Sequence, residues 1–452
     1  MKMGNYLITN AQVVTMNETG DILPDGYVAV QGEYIEAIGS MDTLDRSKFE
    51  GYREIVAAAY EKPYVVLPGF IQTHVHTTQA LARGLADDVD LITWTRKRIW
   101  PYEAALTSDD AYISAMLSMA EMIKSGTTLF CEASGEHPDA IAQAVLDSGL
   151  SGVVCLSTMD LPGEIPESLR MTTEEAISRN LDLVDRWHGK GPRVDACFNI
   201  LNLFLSSPAL WKELTRLSLD KNILLQAHVA ESKSEVAYMK ETTGMTSVRY
   251  LNSLDVLTPN LLAAHVVHVD DAELEMLRSH QVKIMHLPAA ELRIAGFAPI
   301  AKELEMGIPV SLGINSPPCN NRMSIMDEMW LAGLMHKAIH DDPAAVPAKA
   351  ILRMATINGA TALKREKQTG TIEAGKLADL TIMNMNQLCA TPTHDLASTI
   401  VYQATSAVVD TVMARGKLLL DHGKLTTIDE NWIIREGERR AQAIVKRAGI
   451  QY

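Results

Sequence analysis

The chain has 452 residues, of which 47% are hydrophobic, and a formal net charge of −15 at pH 7. This length is enough for a full barrel and an accessory domain. The acidic balance argues against a nucleic-acid partner or an anionic membrane surface, because both require clustered positive charge. No run of 18 or more apolar residues occurs, so we expect no membrane partner either.

The start of the chain and its cysteines predict a compartment. Residues 1–5 lack the apolar core of a secretion signal. An odd and scattered set of cysteines without Cys-x-x-Cys spacing favours free thiols over a disulfide framework. We therefore expect a cytoplasmic protein. The five cysteines are Cys131, Cys155, Cys197, Cys319 and Cys389.

The spacing of apolar residues predicts three parts. Residues 1–64 alternate short strand-like pieces with turns, which indicates one part of a β-sandwich. From residue 65 to residue 369, strand-like runs alternate with helical stretches, which is typical of a parallel (β/α)8 barrel. Short strands return in residues 370–452, so the expected α/β fold is a TIM-like barrel with a composite β-sandwich from both chain ends. The clearest predicted helices span residues 108–124, 173–187 and 429–449.

Four strand-like runs end in histidine. An apolar run at residues 65–71 leads to His74 and His76, which share one face of a strand and can reach one metal ion. Later runs end at His228, His265 and His286. Any one of these could be a core histidine satisfied by hydrogen bonds. Catalytic groups of such barrels come from the C-terminal ends of different strands, so the repeated pattern favours a metal site over that alternative.

These histidines belong to motifs that resemble the amidohydrolase superfamily. The motifs are residues 67–76, which read LPGFIQTHVH, the His228-x-x-Glu231 pair, and the glycine-containing stretch at residues 370–380. The subgroup they resemble contains the s-triazine hydrolases and the deaminases of 5'-deoxyadenosine, methylthioadenosine and S-adenosylhomocysteine. Within it, residues 83–88 with Trp94 are most similar to the 5'-deoxyadenosine deaminase-like members. The similarity extends from about residue 5 to about residue 440.

The resemblance implies a metal-dependent mechanism. One divalent metal ion, zinc or alternatively iron, is expected on His74, His76 and His228 with one coordination position open. Such an ion lowers the pKa of a bound water to about 7. By the same resemblance, Glu231 carries the proton and His265 is a second catalytic histidine. The alternative for Glu231 is a solvated glutamate at the start of a helix.

The sequence departs from the family pattern at two places. Asn315 stands where the family has an aspartate at the end of the eighth strand, and its amide can be at most a weak metal ligand and cannot accept a proton. In residues 286–291, relatives have a Ser-Asn-type sequence where this chain has two alanines and Glu291. Glu291 could restore the missing carboxylate, or it could be a surface or structural glutamate, which is the reading we favour.

The resemblance also implies a pocket. Substrate contacts are expected from Gln79, Arg83 and Trp94 after the first barrel strand, and from His286 and Glu291. Arg83 could instead pair with Asp87 or Asp88. Trp100 and Phe204 could stack on a flat ring, although core packing is the commoner role of an aromatic side chain.

Two hypotheses about function follow. The first is a hydrolase of aminohydrolase type that attacks a ring carbon of a purine nucleoside-like or s-triazine-like heterocycle and releases ammonia, an amine, a halide or a thiolate. The second is a catalytically impaired paralogue that binds a ligand on the same scaffold, since fold alone does not determine function. Some triazine-branch members also lack the aspartate. The expected partners are a small heterocyclic substrate and further copies of the chain in a homo-oligomer.

Overall fold

The structure is a computed structural model that describes residues 4–59, 62–89, 93–133 and 135–451. The strands, in chain order, are β1 (Tyr6–Val14), β2 (Ile22–Gln31), β3 (Tyr34–Ser40), β4 (Arg53–Val56), β5 (Ala58–Ala59), β6 (Lys62–Pro63), β7 (Val65–Pro68), β8 (Phe70–Val75), β9 (Thr127–Glu132), β10 (Ser151–Val154), β11 (Val194–Ala196), β12 (Phe198–Ile200), β13 (Leu225–Val229), β14 (Leu261–His265), β15 (Lys283–His286), β16 (Val310–Leu312), β17 (Leu380–Met383), β18 (Val409–Ala414), β19 (Lys417–Asp421) and β20 (Lys424–Leu425).

The helices surround the parallel strands. They are α1 (Trp100–Ala104), α2 (Ser108–Lys124), α3 (Pro138–Ser148), α4 (Thr173–Trp187), α5 (Pro208–Lys221), α6 (Lys233–Thr243), α7 (Ser247–Ser253), α8 (Asp271–Ser279), α9 (Pro288–Ala290), α10 (Ile300–Glu305), α11 (Pro317–Asn320), α12 (Ile325–His340), α13 (Ala348–Met354), α14 (Ile357–Ala362), α15 (Leu396–Ser398) and α16 (Glu430–Ala448). Segments of π-helix lie at Thr93–Ile99, Glu291–Ala295 and Thr399–Gln403.

The parallel strands follow one another in chain order as a TIM-barrel type of fold. One sheet has the order β11-β10-β9-β8 and the other has the order β12-β13-β14-β15-β16. Only Cys197 separates β11 from β12. Its N–H donates to the carbonyl of Val154 at 3.0 Å, and the next N–H, of Phe198, donates to the carbonyl of Leu224 at 2.9 Å. At the other edge, Val75 of β8 bridges in parallel to Asn315, which follows β16.

A third sheet joins the two ends of the chain. Its nine strands have the order β20-β19-β18-β17-β7-β1-β2-β3, with β4 paired to β1. The link between the ends is the antiparallel pair of β7 with β17, in which Val66 lies opposite Ile382. These nine strands therefore form one continuous hydrogen-bonded sheet from both chain ends.

The structure moves the expected start of the barrel from residue 65 to Phe70. Strand β7 belongs to the terminal sheet, and the chain crosses to the barrel at Gly69, whose N–H donates to the carbonyl of Asp379 at 2.9 Å. A Cβ atom at Gly69 would collide with the side chain of Thr128, so this crossing needs glycine. Every residue of β7 and β8 is buried, and the apolar run therefore looks like one strand in the sequence.

The three clearest predicted helices are confirmed as α2, α4 and α16. Thr107 forms a capping box with Asp110 at the start of α2, and Thr172 does the same with Glu175 at the start of α4. Helix α16 is capped by Asp429, whose side chain accepts the N–H of Trp432. Side-chain caps of this kind are local, which is why the sequence predicted these boundaries well.

Two further expectations concern the cysteines, which were predicted to be free thiols, and segments that could span a membrane. All five cysteines are free, and four of them are buried. Among the helices of the described ranges, none combines the length and the apolar character needed to span a membrane.

Candidate active site

Three histidines converge at the C-terminal ends of two barrel strands. His74 lies in β8, His76 follows it directly, and His228 lies in β13. Ring centroids are 5.2 Å apart for His74 and His76, 4.8 Å for His74 and His228, and 5.5 Å for His76 and His228. One ring nitrogen from each lies within 4.8 Å of the others, so the three side chains, which we call the triad, could share one ion.

The protonation of the triad suits a cation. Burial is the main cause that lowers the pKa of all three imidazoles, and their mutual repulsion adds to it for His74 and His76. Neutral imidazole nitrogen is a good ligand for zinc or iron. The Nε2 atom of His74 is buried and has no hydrogen-bond partner among the described residues. These donors therefore fit a divalent transition metal.

Neighbouring groups orient the triad. His74 Nδ1 lies 3.3 Å from Gln226 Oε1, and His228 Nδ1 lies 2.6 Å from the carbonyl oxygen of Leu201. Each contact uses Nδ1 and leaves Nε2 for a metal, which is the usual way that outer groups fix a ligating histidine. The amide of Gln226 in turn donates to the carbonyl of Glu132. We did not predict Gln226, although it lies two residues before His228 on the same strand face.

Glu231 and His265 are adjacent, on the same side of the triad. Glu231 Oε1 lies 3.5 Å from His265 Nε2, and the Glu231 side chain is 27% exposed. Its backbone is fixed because the Glu235 carboxylate accepts the N–H groups of Ala230 at 2.8 Å and of Glu231 at 3.2 Å. The backbone of Glu231 is thus fixed, and its side chain lies beside a buried histidine and is only partly exposed, unlike the solvated glutamate of the alternative reading.

His265 has a carboxylate near each ring nitrogen. Besides Glu231 at Nε2, Glu291 Oε1 lies 3.7 Å from Nδ1. Burial acts to lower the pKa of His265, but the two carboxylates outweigh it and raise that pKa above its ordinary value. The ring of His265 stacks on that of His228 with their centroids 5.6 Å apart, so His265 is in direct contact with the triad.

Asn315 lies beside the triad. Its carbonyl accepts the N–H of His76 at 2.9 Å, and its own N–H donates to the carbonyl of His74 at 3.0 Å. The residue is 4% exposed and has a φ of +70°, a conformation that asparagine tolerates better than most residues. The unusual residue is therefore at the site itself.

A cavity of about 560 Å³ opens over the triad. Aromatic residues form part of its wall, and polar groups form another part. Gln79 Nε2 donates to Glu103 Oε1 at 2.6 Å, and Gln79 Oε1 accepts from Ser316. Burial raises the pKa of Glu103 to about 8. Sequence reasoning missed Glu103. The residues that line the cavity include His76, His228, Glu231, Asn315, Gln79, Glu103, Trp94, Trp100 and Phe204.

The structure does not place three of the expected pocket residues at the cavity. Arg83 is outside its lining and pairs with Glu121 at 2.7 Å, not with Asp87 or Asp88. His286 and Glu291 are fully buried and also do not line it. The surface reading of Glu291 is wrong, because the residue lies beneath His265.

Comparison with known proteins identifies the class. The sequence model of the amidohydrolase family matches residues 65–419, which is most of the chain. The protein belongs to the amidohydrolase family and is a hydrolytic enzyme of that class. The resemblance seen in the sequence motifs is thereby confirmed.

Two relatives cover almost the full length. A 5-methylthioadenosine/S-adenosylhomocysteine deaminase from Thermoanaerobacter pseudethanolicus is 33% identical over 448 residues, 98% of this chain and 100% of the relative. A 5'-deoxyadenosine deaminase from Methanosarcina acetivorans is 34% identical over 448 residues, 99% of this chain and 100% of the relative. The similarity to each of these two relatives therefore extends over nearly the whole chain.

Two solved structures share the fold. An adenosine deaminase from Xanthomonas campestris with bound zinc has a TM-score of 0.91 at 25% identity and covers 98% of this chain and 99% of its own. Atrazine chlorohydrolase from Arthrobacter aurescens TC1, complexed with zinc, has a TM-score of 0.88 at 22% identity and covers 96% of this chain and 100% of its own. At 22% identity, the likeness to the atrazine chlorohydrolase shows a shared fold only.

Proposed function

We propose that this amidohydrolase is a zinc-dependent aminohydrolase that removes an amino group from the purine ring of a 5'-deoxyadenosine-like nucleoside. The observation that carries the proposal is the convergence of the triad, Glu231 and His265, with His76, His228 and Glu231 facing a cavity with aromatic walls. The reaction adds the oxygen of water to the ring carbon, breaks the carbon–nitrogen bond and releases ammonia. The names of the full-length relatives support this substrate class.

The triad would hold the metal. His74, His76 and His228 offer three neutral nitrogen donors and match the three-ligand pattern of catalytic zinc sites. A divalent ion bound there would provide Lewis-acid activation of water. Zinc is the ion proposed, because it is bound in the related adenosine deaminase structure. Iron remains the second choice for the same donors.

Glu231 is proposed as the proton carrier. Its carboxylate lines the cavity, so it can accept a proton from the attacking water and return it to the departing nitrogen. His265 Nε2 approaches the same carboxylate at 3.5 Å, which places a second proton-bearing group beside it. Asn315 cannot take this part, because an amide does not accept the proton.

The cavity wall supports a ligand with a flat ring and hydroxyl groups. Trp94, Trp100 and Phe204 provide aromatic surface on which a purine can stack. Gln79 and the carboxyl of Glu103 are hydrogen-bonded to each other and can exchange that bond for hydroxyl groups of a sugar. This combination favours a nucleoside over a free base.

The test is ammonia release by zinc-loaded protein from a panel of 5'-deoxyadenosine, methylthioadenosine, S-adenosylhomocysteine, adenosine, guanine and aminotriazines, with chloride release from a chlorotriazine measured in parallel. We expect turnover of at least one adenine nucleoside with kcat/KM well above that of every triazine. Release of chloride from a chlorotriazine, without ammonia from any nucleoside, would replace the deaminase by a halide-releasing hydrolase.

A second candidate function is supported by Asn315. The chain has a neutral amide beside the triad where the family pattern has an aspartate, so a ligand-binding protein without turnover is the alternative. Calorimetric binding of an adenine nucleoside to zinc-loaded protein, together with the absence of ammonia release, would favour this alternative over the enzyme.

A further inference from the structure

We infer that Glu291 is a positioning residue that fixes the orientation and tautomer of His265. The inference rests on the proposed function, because it assigns His265 a role beside Glu231. It goes beyond that proposal by adding a group that lies outside the cavity. The inference is carried by a buried row of side chains in which Glu291 makes ion-pair contacts with His265 and His286, and His286 contacts a further histidine, His336.

The first link joins Glu291 to both of its neighbouring imidazoles. Its Oε1 lies 3.7 Å from His265 Nδ1, and its Oε2 lies 2.7 Å from His286 Nδ1. Oε1 also accepts the backbone N–H of Leu287 at 2.8 Å. All four groups are shielded from solvent, and a buried carboxylate is stable only when such partners surround it.

The direction of these contacts follows from the acceptor character of a carboxylate. Burial acts to raise the pKa of Glu291, but His286 and His265 outweigh it and lower that pKa to about 2. An ionised carboxylate is negative and only accepts, so it stabilises a hydrogen on each facing Nδ1. His265 therefore presents Nε2 to Glu231 and the cavity side.

The second link joins His286 to a further buried histidine, His336. His286 Nε2 lies 3.0 Å from His336 Nε2, and one of these nitrogens must donate. Burial lowers the pKa of His336 to about 3, so that ring is neutral and has one nitrogen that can accept and one that can donate.

The position of Glu291 in the chain directs its carboxylate towards His265 and His286. The residue begins the π-helical segment Glu291–Ala295, directly after α9, and its N–H donates to the carbonyl of Leu287 at 2.9 Å. The turn folds the side chain back beneath β14 and β15, away from the cavity. The chain thus has no aspartate beside the triad at position 315 but has a carboxylate behind His265.

The test compares E291Q, E291D and the control E303Q in the zinc-loaded protein. Glutamine at position 291 keeps the shape and can still accept the Leu287 N–H, but its amide donates where His286 or His265 also donates. Glu303 is equally buried, and neither of its carboxylate oxygens has a hydrogen-bond partner in the described part of the chain. Burial raises its pKa well above the ordinary value and the nearby charge of Glu291 adds to that rise, so the control replaces an uncharged acid in the surroundings of Glu291 by an amide.

We expect E291Q to lower kcat about 10- to 100-fold, the range for groups that orient a functional histidine, with KM and zinc content near the wild-type values. E291D keeps the charge and should recover part of the loss, while E303Q should match wild type. Nitrogen NMR of the histidine-labelled holoenzyme, assigned with an H265N variant, should show His265 protonated at Nδ1 in wild type and altered in E291Q.

Two results would overturn the inference. One is an E291Q variant with wild-type kcat, and the other is a His265 spectrum unchanged by the substitution. The spectrum needs no substrate, so it decides the positioning role even if the nucleoside panel gives no turnover and the proposed function fails. If E291Q does not fold, E291D supplies the same two readouts, because its shorter side chain draws the carboxylate away from His265.

Discussion

The two sides of the site are built on different principles. The triad side, at β8 and β13, consists of neutral rings at strand ends, of which His74 and His228 are aimed by contacts to Nδ1. The opposite side, from the loop after β13 to the residues after β16, has His265 between Glu231 and Glu291, and Asn315 next to the triad. Metal ligands can thus follow the family pattern while the groups that handle protons depart from it. The predictions below separate these two sides.

The largest expected effect comes from the triad side. His228→Ala should empty the metal site and lower turnover by at least ~10³-fold, because Lewis-acid activation is worth several kcal/mol. Metal analysis should fall from about one ion per chain to none, while circular dichroism stays unchanged. His280→Ala, at an exposed histidine, is the control and should keep its metal. Full occupancy in the His228 variant would remove that residue from the ligand set.

The next effect belongs to the opposite side. Glu231→Gln should lower kcat by ~10²–10⁴-fold, the range for general acid–base catalysis, without loss of metal. The matched control is Glu241→Gln, an exposed glutamate of α6. Steady-state kinetics and metal analysis on the same samples give both quantities. Normal turnover in the Glu231 variant would assign proton transfer to another group, and His265 would be examined first.

The two sides also differ in how far sequence could predict them. Strand periodicity places His74 and His76 on one face and puts several histidines at one edge of the parallel strands, and the family resemblance then selects His228 as the third ligand. The placement of Glu291 did not follow, because the π-helical segment after β15 turns it under His265 and no local pattern encodes that return. The apolar run at residues 65–71 is buried on both sides of Gly69, so the sequence could not show that the chain passes from one sheet to another at that residue.

A smaller effect on the triad side concerns its support. Gln226→Leu should weaken zinc affinity about 10- to 100-fold, because it removes the group that faces His74 Nδ1. Competition with a zinc chelator measures this directly. Gln72→Leu is the control, since Gln72 is also buried in the barrel but donates to Thr127. Equal affinities in the two variants would show that Gln226 only packs there.

Asn315→Asp tests the departure next to the triad, with an expected change of about tenfold in kcat/KM, comparable to one hydrogen bond to a charged group. If the site is an eroded deaminase, the aspartate adds an anionic ligand and a proton acceptor, and deamination should become faster. If the site is adapted to a leaving group that needs little protonation, the added charge reduces the Lewis acidity of the metal, and turnover should become slower.

The sign of that change therefore distinguishes the eroded site from the adapted one. Measurements on the same nucleoside with wild-type and variant protein at equal zinc occupancy provide it. A kcat/KM unchanged in either direction would indicate that the side chain at position 315 does not act on the reaction, despite its backbone contacts to His74 and His76.

The smallest expected effect is that of replacing Arg83, which lies outside the lining of the cavity. Arg83 pairs with Glu121, and each side chain is about a third exposed, so Arg83→Met should cost less than ~1 kcal/mol of stability. Its KM should stay within about twofold of wild type, because no wall of the cavity includes this arginine. Gln79→Leu, on the same turn but at the cavity, should raise KM about tenfold, the effect of one lost hydrogen bond. A rise in KM for Arg83→Met as large as that for Gln79→Leu would mean that substrate binding draws the loop after β8 inward and brings Arg83 to the ligand.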